Sequence, residues 1–147
     1  MKTTNLKTAA ITALFGIGLL AGCTNSTTNQ KTSDMKTLNL TQEWDKTFPQ
    51  SDKVNHSKVT FTNRYGITLA ADMYVPKNAT GKLPAIAVCG PFGAVKEQAA
   101  GLYAQTMAER GFLTVAFDPS YTGESGGEPR YVVSPDINTE DFSAAVD

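Results

Sequence analysis

The chain has 147 residues, 41% of them hydrophobic, with 13 Lys and Arg against 14 Asp and Glu. That length holds one domain at most, and a formal net charge of −1 excludes the basic footprint that nucleic-acid binding requires. Its two cysteines, Cys23 and Cys89, stand in no C-x-x-C or zinc-type spacing, so cysteine-based metal binding is excluded too.

Lys2 and Lys7 precede an apolar run over residues 9–20, interrupted by Thr12 and two glycines. The run falls short of the ~20 residues that cross a bilayer. Gly16 and Gly18 weaken the other reading, a buried core helix, and the segment reads as an export signal. It ends in Leu20-Ala21-Gly22-Cys23, which resembles the lipobox of bacterial lipoproteins. The resemblance implies that residues 1–22 are a signal peptide and that Cys23 becomes the lipid-bearing N-terminus. The protein would then be exported and anchored to the bacterial cell envelope. Cys89 would be left without a disulfide partner.

Residues 24–42, TNSTTNQKTSDMKTLNLTQ, bury too little apolar surface to offset their ordering entropy and read as a tether. Residues 23–56 are thus a polar tether and lead-in, in which Trp44 and Phe48 are positioned to pack against a domain and Pro49 stops any helix. The folded part is expected over residues 57–147. Residues 59–62 and 67–75 alternate in polarity on either side of Arg64-Tyr65-Gly66, the pattern of an antiparallel hairpin. Residues 85–89, AIAVC, lack alternation and read as a strand covered on both faces.

A helix is expected at about residues 96–110, with Ala99, Leu102, Tyr103 and Met107 on one face and Gly111 as its stop. Residues 112–117 form the next strand, and strand–helix–strand makes a βαβ unit with a right-handed crossover. A long loop follows, with Gly123, Gly126, Gly127, Pro129 and Pro135. Asn138 or Thr139 is then expected to cap a last helix with Glu140 and Asp141 in its first turn.

Three segments, NRYGITLAADMYVP (63–76), GPFGAVKEQAAGLYAQTMAERGF (90–112) and AFDPSYTGESGG (116–127), followed by EDFSAAVD (140–147), resemble bacterial α/β-hydrolases of the dienelactone-hydrolase-like and Xaa-Pro-peptidase-like group. The resemblance implies an α/β class and a partial α/β-hydrolase fold: a hairpin, then a strand–helix–strand unit of a mainly parallel sheet ordered first, second, fourth, third. It places residues 57–147 as the N-terminal half of the domain, ending before the nucleophile elbow. By matching the family's H-P-W-G-G-x-K-E loop it makes the backbone of Phe92 an oxyanion donor. The chain has Gly90 where many relatives have His.

The residues support that placement on their own terms. Gly90 and Gly93 allow close backbone approach, Pro91 stiffens the turn, and open α/β sheets bind ligands at strand carboxyl ends. An ordinary strand-to-helix turn is the competing reading. Gly93 and Lys96 are expected to line the ligand, a solvated helix start being the alternative for Lys96 and Glu97.

Gly123-Glu124-Ser125-Gly126-Gly127 matches G-x-S-x-G, but no helix opens there, so Ser125 reads as structural rather than nucleophilic. His56, the single histidine, precedes every other element and reads as a surface residue. Cys89 ends an apolar strand with no base near it in sequence and reads as packing. The resemblance implies hydrolysis of a small-molecule ester, lactone or peptide-like substrate through a Ser or Cys nucleophile, with no cofactor and no metal. The triad would lie beyond this chain, which would be inactive by itself. The alternative is a non-catalytic binding or assembly lipoprotein with a hydrolase-like fold.

Overall fold

In a computed structural model, residues 37–147 are described. The signal segment, Cys23 and the tether up to residue 36 lie outside the described residues. Six elements follow in order: β1 (Val54–Thr62), β2 (Thr68–Pro76), β3 (Ala85–Cys89), α1 (Ala99–Glu109), β4 (Leu113–Phe117) and α2 (Pro135–Val146). The strands form one sheet ordered β1-β2-β4-β3, as expected.

β1 and β2 pair antiparallel from Val54↔Pro76 to Thr62↔Thr68. Asn63 shapes their turn: its Oδ1 accepts the Tyr65 and Ile67 N–H groups, each at 3.0 Å, and Gly66 takes the left-handed φ of 77°. β2 runs antiparallel to β4, and β3 runs parallel to β4. Parallel pairing of β3 and β4 requires the crossover that α1 supplies.

The domain begins earlier than residue 57. β1 starts at Val54, and the lead-in before it is packed. Phe48 is buried, Trp44 meets it edge-on at 5.7 Å, and the Trp44 indole N–H donates to the Phe48 carbonyl at 2.8 Å. Gln105 of α1 fastens this segment, accepting the Ser51 N–H and donating to the Pro49 carbonyl.

α1 is shorter than expected and buries a different face. Ala100, Ala104 and Ala108 pack on Val54, Tyr74 and Ala116, while Leu102 and Tyr103 are 47% and 53% exposed. The sheet already presents the bulk of Tyr74 on that side, so the helix can approach only through small residues. Gly101 marks the tightest point: a Cβ there would stand 2.3 Å from the Lys96 carbonyl and 3.0 Å from the Phe48 ring.

Phe117, one residue beyond Ala116, points to the opposite face. There it meets Phe61 at 5.9 Å and Phe142 of α2 at 4.9 Å. The sheet is therefore covered by one helix on each side. α2 starts at Pro135 behind an extended Ser134 rather than at Asn138 or Thr139. Glu140 and Asp141 consequently sit inside the helix and are buried. Asp141 accepts from the Asn63 amide at 2.7 Å and from the Ser120 N–H and hydroxyl, each at 2.8 Å. These bonds join α2 to the hairpin turn and to the loop after β4.

Candidate active-site hollow at the carboxyl end of β3

At Cys89 the chain leaves β3 and turns within residues 90–94, where the Ala94 N–H donates to the Pro91 carbonyl at 2.9 Å. Gly93 has φ 82°, a conformation costly for residues with a Cβ. Gly90 is required by space, since a Cβ there would lie 2.9 Å from that of Ala94. The Phe92 N–H takes no backbone acceptor among the described residues, and its side chain is 78% exposed. The loop borders a hollow of about 80 Å³, lined also by Cys89, Pro119, Val132, Val133 and Asn138.

Phe92 and Gly93, both named from the sequence, border this hollow beside the carboxyl ends of β3 and β4. Lys96 does not. It is fully buried, and its ammonium contacts Asp118 at 2.8 Å, Glu124 at 2.8 Å and Glu97 at 2.5 Å. Burial alone would lower the Lys96 pKa, but these three carboxylates outweigh it and hold the ammonium charged well above its ordinary range. Lys96 is a buried ion-pair partner rather than a lining residue.

Ser125 is 2% exposed. Its hydroxyl donates to the Asp118 carbonyl at 2.6 Å and accepts the Ala70 N–H at 2.8 Å. Both bonds bind the glycine-rich loop to the sheet and leave the oxygen no access to a substrate. Cys89 is half-buried, with its thiol donating to the Gly90 carbonyl at 3.1 Å. Burial first, then the charges of Asp141 and Asp118, push its pKa up, so it remains a thiol at neutral pH.

His56 is not a free surface residue. Its Nε2 lies 2.8 Å from Asp72 Oδ1, and its ring sits 5.2 Å from that of Trp44 and 5.1 Å from that of Tyr74. Asp72 is fully buried, with the Lys46 ammonium 3.1 Å from its other oxygen. Burial works to raise the Asp72 pKa, but the His56 and Lys46 contacts hold it below the usual carboxylate range. Through Tyr74 and Thr114, His56 is level with Ile86, three residues short of Cys89. At ~3.3 Å per residue and ~4.8 Å per strand it is well over 10 Å from the residue 90–94 loop.

Sequence reasoning missed Asp118 and Glu124, which join Lys96 in a cluster of ion pairs. A signal was present: an aspartate directly after a buried strand, followed by glycines that leave it room. Burial acts to raise the Glu124 pKa, but hydrogen bonds from Lys58 and Lys96 override it and bring the group to about 2.

A family model described as X-Pro dipeptidyl-peptidase (S15 family) matches residues 65–147. The protein PA2218 of Pseudomonas aeruginosa is 72% identical over 133 residues, 87% of this chain and 36% of that protein. Its crystal structure superposes with a TM-score of 0.74 at 79% identity, covering 76% of this chain and 35% of that one. YcjY of Escherichia coli K12 is 50% identical over 96 residues, 63% of this chain and 31% of YcjY. The α/β-hydrolase GrgF from Penicillium sp. sh18 superposes with a TM-score of 0.55 at 30% identity, covering 63% of this chain and 31% of GrgF. The chain therefore spans about a third of the length of the curated relatives it matches. Its four-stranded sheet with a helix on each face is part of an α/β-hydrolase fold.

Proposed function

The chain belongs to the X-Pro dipeptidyl-peptidase (S15) family, and from that premise we propose that it carries the oxyanion-donor side of a hydrolase site. The reaction is cleavage of an ester, lactone or peptide-like amide bond by acyl transfer. One observation supports this above others: the residue 90–94 loop leaves β3 through Gly90, where a Cβ would crowd Ala94, and Gly93, whose φ is positive, and Phe92, whose N–H takes no backbone acceptor among the described residues, borders a mostly apolar hollow. A nucleophilic Ser or Cys attacking a carbonyl there would place negative charge on the carbonyl oxygen, and the Phe92 N–H would donate to it. One such donor contributes about 2.7–4 kcal/mol to transition-state stabilisation.

The nucleophile, acid and histidine are assigned to the part of the relatives' length that this chain does not span, and the 147-residue chain alone is proposed to be inactive. The test is co-expression with the complementary part of the Pseudomonas aeruginosa relative, assayed on p-nitrophenyl acetate and an Ala-Pro p-nitroanilide. Hydrolysis should require both parts. Phe92→Pro deletes the N–H and should lower kcat by about 10²–10³-fold, whereas Phe92→Ala keeps it and should change kcat little. Full activity in Phe92→Pro would refute the donor role, and hydrolysis by this chain alone would refute its inactivity.

Export and lipid attachment at Cys23 belong to the same proposal, supported by the order of Lys2, Lys7, the apolar run and Leu20-Ala21-Gly22-Cys23. Firm anchoring needs more than one acyl chain. Intact mass of membrane-extracted protein should show loss of residues 1–22 and added acyl mass. An unmodified Cys23 with its signal still attached would sink this part.

A further inference from the structure

Two loops border the hollow, the donor loop after β3 and the glycine-rich loop after β4, and no strand or helix pairs one with the other. Asp118 does. Fully buried, it divides its oxygens between them. Oδ1 accepts the Lys96 N–H at 2.8 Å; Oδ2 accepts the Lys96 ammonium at 2.8 Å and the Glu124 N–H at 3.0 Å. The ammonium then reaches the Glu124 carboxylate at 2.8 Å, which closes a ring between the loops. Gly123 makes the ring possible, because a Cβ there would stand 2.2 Å from Asp118 Oδ2.

Lys58 extends the ring outward. Its ammonium donates to Glu124 at 2.6 Å and lies 3.4 Å from Asp45 and 3.5 Å from Glu97. Asp45, Glu97 and Glu124 stand close enough together to hold a cation, and the Lys58 ammonium fills that role. The other Glu124 oxygen accepts the Thr41 N–H at 2.7 Å. The lead-in, the donor loop and the glycine-rich loop therefore meet at one cluster of alternating charge.

Buried ion pairs are weak contributors to net stability compared with apolar packing. Their charge-assisted bonds are short and directional, and they fix geometry. A backbone donor is effective only when its N–H is held at hydrogen-bond distance from the oxygen that becomes charged. Phe92 is four residues from Lys96, and the turn between them is closed by the Ala94 N–H donating to the Pro91 carbonyl at 2.9 Å.

We propose that Asp118, Lys96 and Glu124 are positioning residues that set where the Phe92 N–H stands across the hollow. This rests on the reading of residues 90–94 as the donor loop.

Hydrogen–deuterium exchange of the 147-residue chain tests the clamp without any need for activity. Three variants are compared: Asp118→Asn, Glu124→Gln, and Asp136→Asn as a charge control at the exposed start of α2. Asp118→Asn should speed exchange about tenfold or more in both residues 90–98 and 119–126, with β2 changed less than twofold. Glu124→Gln, which keeps an acceptor, should speed both loops by a smaller factor, and Asp136→Asn should change neither. Acceleration confined to 119–126 would overturn the proposal, because the loops would then be independent. Equal acceleration in β2 would also overturn it, since the cluster would then serve general stability alone. Should Asp118→Asn fail to fold, Glu124→Gln decides by the same criteria.

In the complemented pair, Glu124→Gln should lower kcat with KM unchanged, because the donor acts only on charge formed in the transition state. An unchanged kcat alongside displaced loops would refute the donor reading and leave the clamp standing. Coupled loops absent from a pair that Phe92→Pro inactivates would refute the clamp and leave the donor reading standing.

Discussion

Replacing Ser125 by alanine separates a structural hydroxyl from a nucleophile, and the structure sets the size of the effect. The Ser125 hydroxyl stands in for a ladder partner at the end of β2, accepting the Ala70 N–H at 2.8 Å and donating to the Asp118 carbonyl at 2.6 Å. Alanine leaves the Ala70 N–H buried and unpaired, which costs about 1–3 kcal/mol. Loss of the bond to Asp118 adds roughly 0.5–1.5 kcal/mol, so the combined loss is about 2–4 kcal/mol. With a urea m-value of roughly 1.5 kcal/mol/M for a domain of this size, the midpoint should fall by about 2 M. The assay is urea unfolding followed by tryptophan fluorescence, since Trp44 packs against Phe48 and His56. A midpoint shift below about 0.3 M would refute the structural role assigned to this hydroxyl. Ester hydrolysis by the native chain that vanishes in Ser125→Ala would refute it from the other side.

Gly123→Ala should be more damaging, by roughly 3 kcal/mol or more, because it combines a φ of 52° with a Cβ 2.2 Å from Asp118 Oδ2; the same urea titration measures it, and a near-native midpoint would contradict the crowding. Glu124 is held at about 2 in the fold against about 4.5 unfolded, so its contribution is fully present above pH ~4.5 and is lost as pH falls toward 2. Screening at its partly exposed carboxylate reduces that contribution to about 1–2 kcal/mol. Unfolding midpoints should drop across that window, and Glu124→Gln should flatten the drop; an equal drop in the variant would assign it to other carboxylates. Tyr74 is fully buried with its hydroxyl unpartnered among the described residues, so Tyr74→Phe should be neutral or stabilise by up to about 1 kcal/mol. Destabilisation beyond about 0.5 kcal/mol would mean that the hydroxyl has a partner after all.

The elements of the sheet were legible because each rests on local pattern: alternation for β1 and β2, unbroken apolar runs for β3 and β4, glycines at the turns. The turn over residues 90–94 was legible for the same reason, since its conformational demands fall on Gly90 and Gly93 themselves. The buried face of α1 was not. The spacing grouped Ala99, Leu102, Tyr103 and Met107 on one face, whereas Tyr74 fills the side of the sheet under α1 and admits Ala100, Ala104 and Ala108. The start of α2 had a readable signal in Pro135, a residue suited to the first helical position, but it was absorbed into the surrounding Gly- and Pro-rich loop.

The ion cluster lay furthest from view, because its meaning is a matter of partners rather than of residue types. Lys58 and Asp72 stand opposite each other in the hairpin register, and an aspartate in the otherwise apolar middle of β2 could have signalled buried pairing. The residues that complete the cluster come from 13 and 66 positions away in the case of Asp45 and Glu124, and no local pattern brings them together. A site built from backbone geometry is announced by its glycines. One built from buried charge appears only when the chain has folded, as the pairing of Lys96 with Asp118 and Glu124 does here.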